Sequence, residues 1–447
     1  MGDPGEGTVD LGELSVRFGY QCAVSARSSS EGSARISSSR SFSCLSGAAL
    51  NANATLSNYN EDQNSPTVDS PFSFRRITSA SSFSWNDVSP TSSLGSFGTL
   101  SDDSEHGRNL WRSMSENPSF LHSMNLQIAG GPAGEDRAQA VCSEENGFLF
   151  CGIYDGFNGR DAADYLAKTL YETVCFYLFT LDQQANTIFN TQSYIVDCLT
   201  AALSQAEADF LQMVEQEMED RPDLVCVGSS VLSMLIHEDV IYVLGIGDSR
   251  AILASSSGRN GTAPKAIQLT ETHTVDNIKE WKSVMSDHPD DPSPIIHGRV
   301  KGRLRLTRAF GVGYLKKAHM NDALIGILRI PSLISPPYVY SNPCTTHRKV
   351  QHHDDFVVLG SDGLFDFFKN EEVVRIVHRL MKKNPQADAA RYLIEKLVQR
   401  AAKKAGLSTE DLMRIPAGMR RKYHDDVTVI VVVLGNKPRS SMASASR

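Results

Sequence analysis

No apolar run in this chain of 447 residues approaches the roughly 20 residues that span a bilayer; the longest, residues 427–434, has the length of a strand. A basic excess is also missing. The formal charge of -8 sets aside a protein whose main partner is nucleic acid, because phosphate backbones select for cationic surfaces. The acidic, Gly-rich start lacks the basic residues and apolar stretch of a secretory leader, and Glu6 stands where a myristoylation signal carries Ser or Thr, so no lipid anchor is expected. The eight Cys form no C-x-x-C pair, which points to reduced thiols and a cytoplasmic or nuclear location. No G-x-G-x-x-G or P-loop follows an expected strand, so a simple βαβ nucleotide fold is disfavoured. What remains, 41% hydrophobic and 21% charged residues, is the composition of a globular protein.

Composition changes sharply near residue 120. Residues 25–119 are dominated by Ser, with isolated Phe as in Ser41-Phe42-Ser43 and Ser82-Phe83-Ser84. Such a stretch buries too little apolar surface to offset its ordering entropy. Three regions are therefore expected: a mostly disordered segment over residues 1–120, a folded domain over 124–436, and a short disordered tail over 437–447. Within the first, Arg75-Arg76-Ile77-Thr78 has the form of a site for a kinase that prefers upstream basic residues.

Apolar alternation predicts strands over 137–143 and 148–154, joined by a turn at Glu145-Asn146-Gly147. Helical spacing predicts helices over 161–179 and 192–219, the second ending before Pro222. Short strands follow over 229–236, 240–245 and 250–254. Residues 299–307 alternate basic with mostly apolar side chains, as a half-exposed strand does. A buried strand over 356–360, helices over 371–381 and 387–405, and a closing strand over 427–434 complete the series. Strand groups interleaved with helix pairs predict an α+β fold, a four-layer α-β-β-α sandwich.

The acids fall at the ends of those strands. Asp155 follows an apolar run and precedes Gly156, and Asp362 follows Val357-Val358-Leu359-Gly360-Ser361 and precedes Gly363. Asp425 and Asp426 precede the last strand, Asp248 follows Leu244-Gly245-Ile246-Gly247, and Glu135-Asp136 precede the first. A single Asp-Gly after a strand is ordinarily a turn. Five strand ends each carrying an acid point instead to a metal-binding hydrolase, because desolvated carboxylates are costly unless a cation meets them. Oxygen-rich clusters suit Mg2+ or Mn2+. Gly156 and Gly363 are expected to turn the backbone tightly, so that a carbonyl reaches the same ion.

Six segments appear in order: Asp155-Gly156, Gly228-Ser229-Ser230, Gly247-Asp248-Ser249-Arg250, Thr307-Arg308-Ala309-Phe310-Gly311, Ser361-Asp362-Gly363-Leu364-Phe365-Asp366 and Asp425-Asp426-Val427-Thr428-Val429. Over residues 126–434 the chain thereby resembles the protein phosphatase 2C family. Asp155-Gly156-Phe157-Asn158-Gly159, with Gly134-Glu135-Asp136-Arg137 and Tyr423-His424-Asp425-Asp426, is similar more narrowly to the plant POLTERGEIST-like subgroup. The resemblance implies a helix-flanked β-sandwich with two Mg2+ or Mn2+ ions between the sheets. It implies hydrolysis of phosphoserine and phosphothreonine by a metal-activated water. Asp155, Asp362 and Asp425 would be catalytic as metal ligands, with Asp155 shared by both ions and the Gly156 carbonyl completing one site. Glu135 and Asp136 would hold metal-bound waters, and Asp248 and Asp366 a third, weaker ion. Phosphoprotein substrates are the implied partners, kinases are further candidate partners, and the expected state is a monomer.

The match breaks at three positions. Phe157 stands where the family has a His that protonates the leaving oxygen, Gly131 where it has an Arg that grips substrate phosphate, and Val312 where Asp is frequent. Losing an acid slows turnover by roughly 10²–10⁴-fold unless another group replaces it. His424, beside Asp425, is one candidate acid. Lys301 and Arg303, which with Arg299 and Arg305 fall on one face of the expected strand, are candidate phosphate ligands. A second reading stays open on these grounds: a pseudophosphatase that binds phosphoproteins without turnover. There is no Gly-Asn-His-Glu segment and no His-Cys pair, which sets aside the other phosphatase chemistries.

Overall fold

The computed structural model describes residues 18–20, 42–52, 126–143, 147–182, 191–256, 264–385 and 387–434. Among the described residues, fifteen strands run in chain order: β1 (Phe18–Tyr20), β2 (Phe42–Leu50), β3 (Leu126–Ala133), β4 (Asp136–Ser143), β5 (Phe148–Phe157), β6 (Gly228–His237), β7 (Val240–Ile246), β8 (Arg250–Ser255), β9 (Lys265–Gln268), β10 (Ile295–Ile296), β11 (Arg299–Val300), β12 (Phe310–Gly311), β13 (Cys344–Lys349), β14 (Asp354–Gly360) and β15 (Val427–Leu434). One antiparallel sheet has the order β1-β2-β15-β14-β8-β9, the other β13-β7-β6-β5-β4-β3, with β12 added to β6. The principal helices are α1 (Asp161–Asp182), α2 (Thr191–Glu217), α3 (Ile278–Asp287), α4 (Asn370–Lys383) and α5 (Ala389–Ala405).

Strand alternation sorts the side chains into layers. Along β5, Phe148, Phe150 and Tyr154 meet Leu166, Leu170 and Leu203 of α1 and α2, whereas Leu149, Cys151 and Ile153 face the other sheet. Across from them, Val357 and Leu359 of β14 and Ile430 and Val432 of β15 fill the space between the sheets. The far face of that second sheet, with Phe356, Val358 and Val429, packs on Val373, Val377, Leu393 and Leu397 of α4 and α5. The result is the expected four-layer α-β-β-α sandwich. Each fully buried Leu, Ile, Val or Phe contributes about 1.5–3 kcal/mol, so the three apolar layers fix the strand register at the sheet ends.

Two expectations are corrected. A domain beginning at 124 omits β2, which pairs along all of β15 from Val427↔Leu50 to Leu434↔Phe42. Leu45 and Ala49 of β2 enter the inter-sheet core, and Ala48 and Leu50 enter the helix-side core. The run Leu45-Ser46-Gly47-Ala48-Ala49-Leu50 is small and apolar enough to bury both faces, a signal masked by its Ser-rich flanks. The rest of the Ser-rich stretch, the motif at 75–78, positions 145–146 of the expected turn and the tail over 437–447 lie outside the described residues.

The second correction concerns 299–307. Only Arg299–Val300 is a strand, paired with Ile295–Ile296. Lys301 and Gly302 then take positive φ angles of 48° and 71°, which turn the chain and end the alternation. The four basic residues therefore do not line one strand face.

Candidate metal centre

The alternation that builds the core also delivers the acids. Asp155 continues the inward face of Leu149, Cys151 and Ile153, and Asp136 that of Ala138, Ala140 and Cys142. Thr428 and Ser230 extend the inward faces of β15 and β6 in the same way. Polar contacts then close between the two sheets: Thr428 Oγ1 donates to Asp136 Oδ2 at 2.8 Å, and Ser230 Oγ to Asp248 Oδ1 at 3.1 Å. Asp362 opens a helical turn, Asp362–Phe365, anchored by two 3.0 Å bonds: the Ser361 N–H donates to the Thr428 carbonyl, and the Thr428 N–H donates to Ser361 Oγ. Its N–H donates to Asp155 Oδ2 at 3.4 Å. One carboxylate oxygen from each of Asp155, Asp248 and Asp362 lies within 4.8 Å of the others.

Asp425 stands beside this trio and not within it. Its Oδ1 accepts the Asp426 N–H at 2.8 Å and lies 2.9 Å from Arg421 Nη1. Glu135 Oε1 accepts the Gly159 N–H at 2.6 Å. The residue that sequence reasoning left without a role is Asp426. Buried at 3% exposure, it accepts the Ala52 N–H at 2.6 Å and the Glu135 N–H at 2.8 Å, tying β2, the β3–β4 hairpin and β15 together. The acid doublet was the available signal. Gly134, at φ 58°, leaves room for it: a Cβ there would sit 2.4 Å from Asp426 Oδ2. Gly156 proves to lie within β5, not in a turn, and glycine is needed because a Cβ would come 2.6 Å from the Glu135 carbonyl oxygen.

Burial first, and then the surrounding carboxylates, push the Asp136, Asp155 and Asp362 carboxyls well above the usual range. Asp248 and Glu135 are also raised, chiefly by burial. Asp136 Oδ1 is buried without a hydrogen-bond partner among the described residues. Asp366 is exposed at the rim. An array of hard, mutually repelling oxygens with an unsatisfied buried acceptor fits a divalent cation of the Mg2+ or Mn2+ type.

The model of the family described as "Protein phosphatase 2C" matches residues 112–406. The chain belongs to the protein phosphatase 2C family. It is 47% identical to "Probable protein phosphatase 2C 39" of Oryza sativa subsp. japonica over 97% of this chain and 94% of that one. It is also 47% identical to "Probable protein phosphatase 2C 40" of Arabidopsis thaliana, over 98% and 99%. A solved structure, "Crystal structure of serine-threonine phosphatase 2C from Toxoplasma gondii", aligns at a TM-score of 0.48 and 16% identity over 70% of this chain and 96% of that one. The activity class follows from the family: a metal-dependent protein serine/threonine phosphatase acting on phosphoproteins.

The departures from the protein phosphatase 2C pattern now have surroundings. Phe157 packs on the helix-side core with its ring over Gly228, where a Cβ would meet Cζ at 2.6 Å. Gly131 pairs with Ala138 in the β3–β4 ladder. Three proposed substitutes are corrected. Lys301 is no phosphate ligand: its ammonium is 1% exposed and bonded to Asp291 at 2.7 Å. Arg303 is held through Nη2 by the carbonyls of Ile327 and Leu328, at 2.9 and 3.2 Å, and among the described residues it makes no ion pair with the acids of the site. His424 is 3% exposed, and burial holds its pKa below the ordinary value. Its Nδ1 donates to the Asp425 carbonyl at 2.7 Å, so it positions the Asp425 backbone as a neutral ring instead of donating a proton at the mouth.

Proposed function

We propose that the carboxylate end of the sandwich is the catalytic centre for phosphoserine and phosphothreonine hydrolysis, holding two ions of Mg2+ or Mn2+. Asp155, the Gly156 carbonyl, Asp362 and Asp425 would hold them, and Asp248 lies close enough to Asp155 and Asp362 to join that set. Glu135 and Asp136 would hold waters, and Asp366 lies at the rim. When bound, the metals supply a water of lowered pKa near neutral pH and polarise the phosphoryl oxygens. The chain's own residues hold the acids in place. Thr428 fixes Asp136, Ser230 fixes Asp248, the Gly159 N–H fixes Glu135, and the His424 ring fixes the backbone of Asp425. Asp426 draws the Glu135 hairpin onto β15.

The observation that carries this reading is the mutual approach of Asp155, Asp248 and Asp362, whose carboxyl pKa values are all raised, chiefly by burial. The intact acid set favours an enzyme over a pseudophosphatase. Among the described residues no helix is long and apolar enough to cross a membrane. The six described cysteines are free thiols, which supports a cytoplasmic or nuclear location. The test is phosphate release from a phosphothreonine peptide by the full chain with Mn2+. Release stops on chelation and in the double variant Asp155→Asn, Asp362→Asn. Turnover that survives either treatment overturns the metal mechanism, and metal binding without any turnover establishes the pseudophosphatase.

A further inference from the structure

The phosphorylated side chain of a substrate carries nearly two negative charges and approaches a site lined with carboxylates. A cation at the rim is the group that reconciles the two. Arg421 stands there. It lies on the short 3-10 turn Arg420–Lys422, with its side chain 52% exposed. Nη1 is 2.9 Å from Asp425 Oδ1 and 3.9 Å from Glu135 Oε2. Those two acids are open to solvent, at 27% and 14% side-chain exposure, whereas Asp136 beneath them is 1% exposed. The guanidinium therefore marks the mouth of the site, not its floor.

The other cations near the acids are committed elsewhere. Arg250 stacks on the Phe365 ring at 4.8 Å and reaches Asn370. Arg305 is turned to Asp276. Arg308 is held by Glu280 and the Asn342 carbonyl, and Arg420 is buried. Arg421 alone of these has the site's own carboxylates as its ion-pair partners among the described residues. A guanidinium has five N–H donors in a planar fork, so contact through Nη1 leaves further donors on this half-exposed side chain. The turn that bears it is pinned. The N–H groups of Tyr423 and His424 donate to the Arg420 carbonyl at 2.8 and 3.1 Å, and Gly418 N–H donates to the Ala52 carbonyl at 2.6 Å.

We infer that Arg421 binds the phosphoryl group of the substrate at the mouth of the site. This rests on the proposed phosphatase reading and names the residue that recognises its substrate. Phosphate oxygens meet the further donors of the fork while Asp425 and Glu135 hold Nη1. A point charge such as Lys reproduces the attraction but not the two-pronged contact.

The experiment compares full-length wild type, Arg421→Ala, Arg421→Lys and Arg305→Ala, all loaded with Mn2+. It measures KM and kcat on a phosphothreonine peptide, the calorimetric affinity for inorganic phosphate, and the affinity for Mn2+. Arg421→Ala weakens phosphate binding and raises KM by roughly 10–100-fold, the scale of a lost charge-assisted hydrogen-bond pair. Its Mn2+ affinity stays within about threefold of wild type, because the acids remain. Arg421→Lys recovers part of the loss, and Arg305→Ala leaves phosphate binding as in wild type. Unchanged phosphate affinity in Arg421→Ala overturns the inference. So does loss of Mn2+ affinity in step with phosphate, which would make Arg421 a scaffold residue. A wild-type protein without turnover defeats the phosphatase reading instead, and the phosphate titration still decides the role of Arg421.

Discussion

Asp291 is a buried carboxylate and Asp155 a half-buried one, yet their surroundings are opposite. Burial works to raise the pKa of Asp291 and is outweighed by bonds from Lys301 at 2.7 Å, the Tyr338 hydroxyl and the Ser293 N–H, so its carboxyl lies below the usual range. Glu280 is likewise brought down against its burial, by Arg308 at 2.8 Å and Thr307 at 2.7 Å. Around Asp155 burial is reinforced by Asp136, Asp248 and Asp425, and the carboxyl is driven up. One region carries its own cations inside. The other gathers acids at the ends of both sheets and places its nearest partnering cation, Arg421, at the rim. Identical side-chain types thus separate into a finished structural network and the cluster of acids that we propose as the metal centre.

Breaking the two regions should have opposite consequences. Asp155→Asn lowers kcat/KM by at least about 10²–10³-fold, the cost of losing one strongly placed electrostatic group, as read by phosphopeptide hydrolysis. Lys301→Met strands the buried Asp291 and destabilises the fold by about 3–5 kcal/mol, as read by urea denaturation. Asp155→Asn, in contrast, stabilises the protein in chelator, because it removes a charge that no cation offsets. That gain should grow as pH rises above the ordinary carboxylate range. The folded carboxyl has a raised pKa, so over that rise the unfolded chain has already lost the proton that the folded wild type must either keep or give up at a charge penalty, whereas Asn does not titrate. His273, held neutral with its pKa lowered to about 4, and His424 behave alike in both proteins and drop out of the difference. A gain that shrinks with rising pH would place Asp155 among the paired acids. The smallest effect is expected from Phe157→His. The ring packs over Gly228, so the variant keeps kcat within about threefold and loses about 2–4 °C in Tm, the shift that ~1 kcal/mol produces. A large rise in kcat would show that position 157 reaches the reacting phosphate.

Much of the centre was legible because strand periodicity is local. Asp136 and Asp155 share a face with the apolar residues of their own strands, and Asp248, Asp362 and Asp425 mark the ends of others. What escaped depends on distant contacts. The strand Phe42–Leu50 is recognisable only when β15 is there to pair with it. Asp426 looks like a repeat of Asp425 until the Ala52 and Glu135 N–H groups converge on it. Lys301 and Arg303 look like one face of a strand, and the positive φ at Lys301 that disperses them has no marker but the Gly beside it. Arg421, in the run Arg420-Arg421-Lys422, reads as ordinary surface charge. Its relation to Glu135 spans almost the whole folded part of the chain.

The central claim is that the acids around Asp155 form a cation-requiring centre. Calorimetric titration of Mn2+ into the chelator-stripped full-length protein tests it most directly, with Asp155→Asn alongside. The account predicts saturable binding of two ions by the wild type and loss of at least one of them in the variant. Heats of dilution alone in the wild type, or equal binding by both proteins, would contradict it.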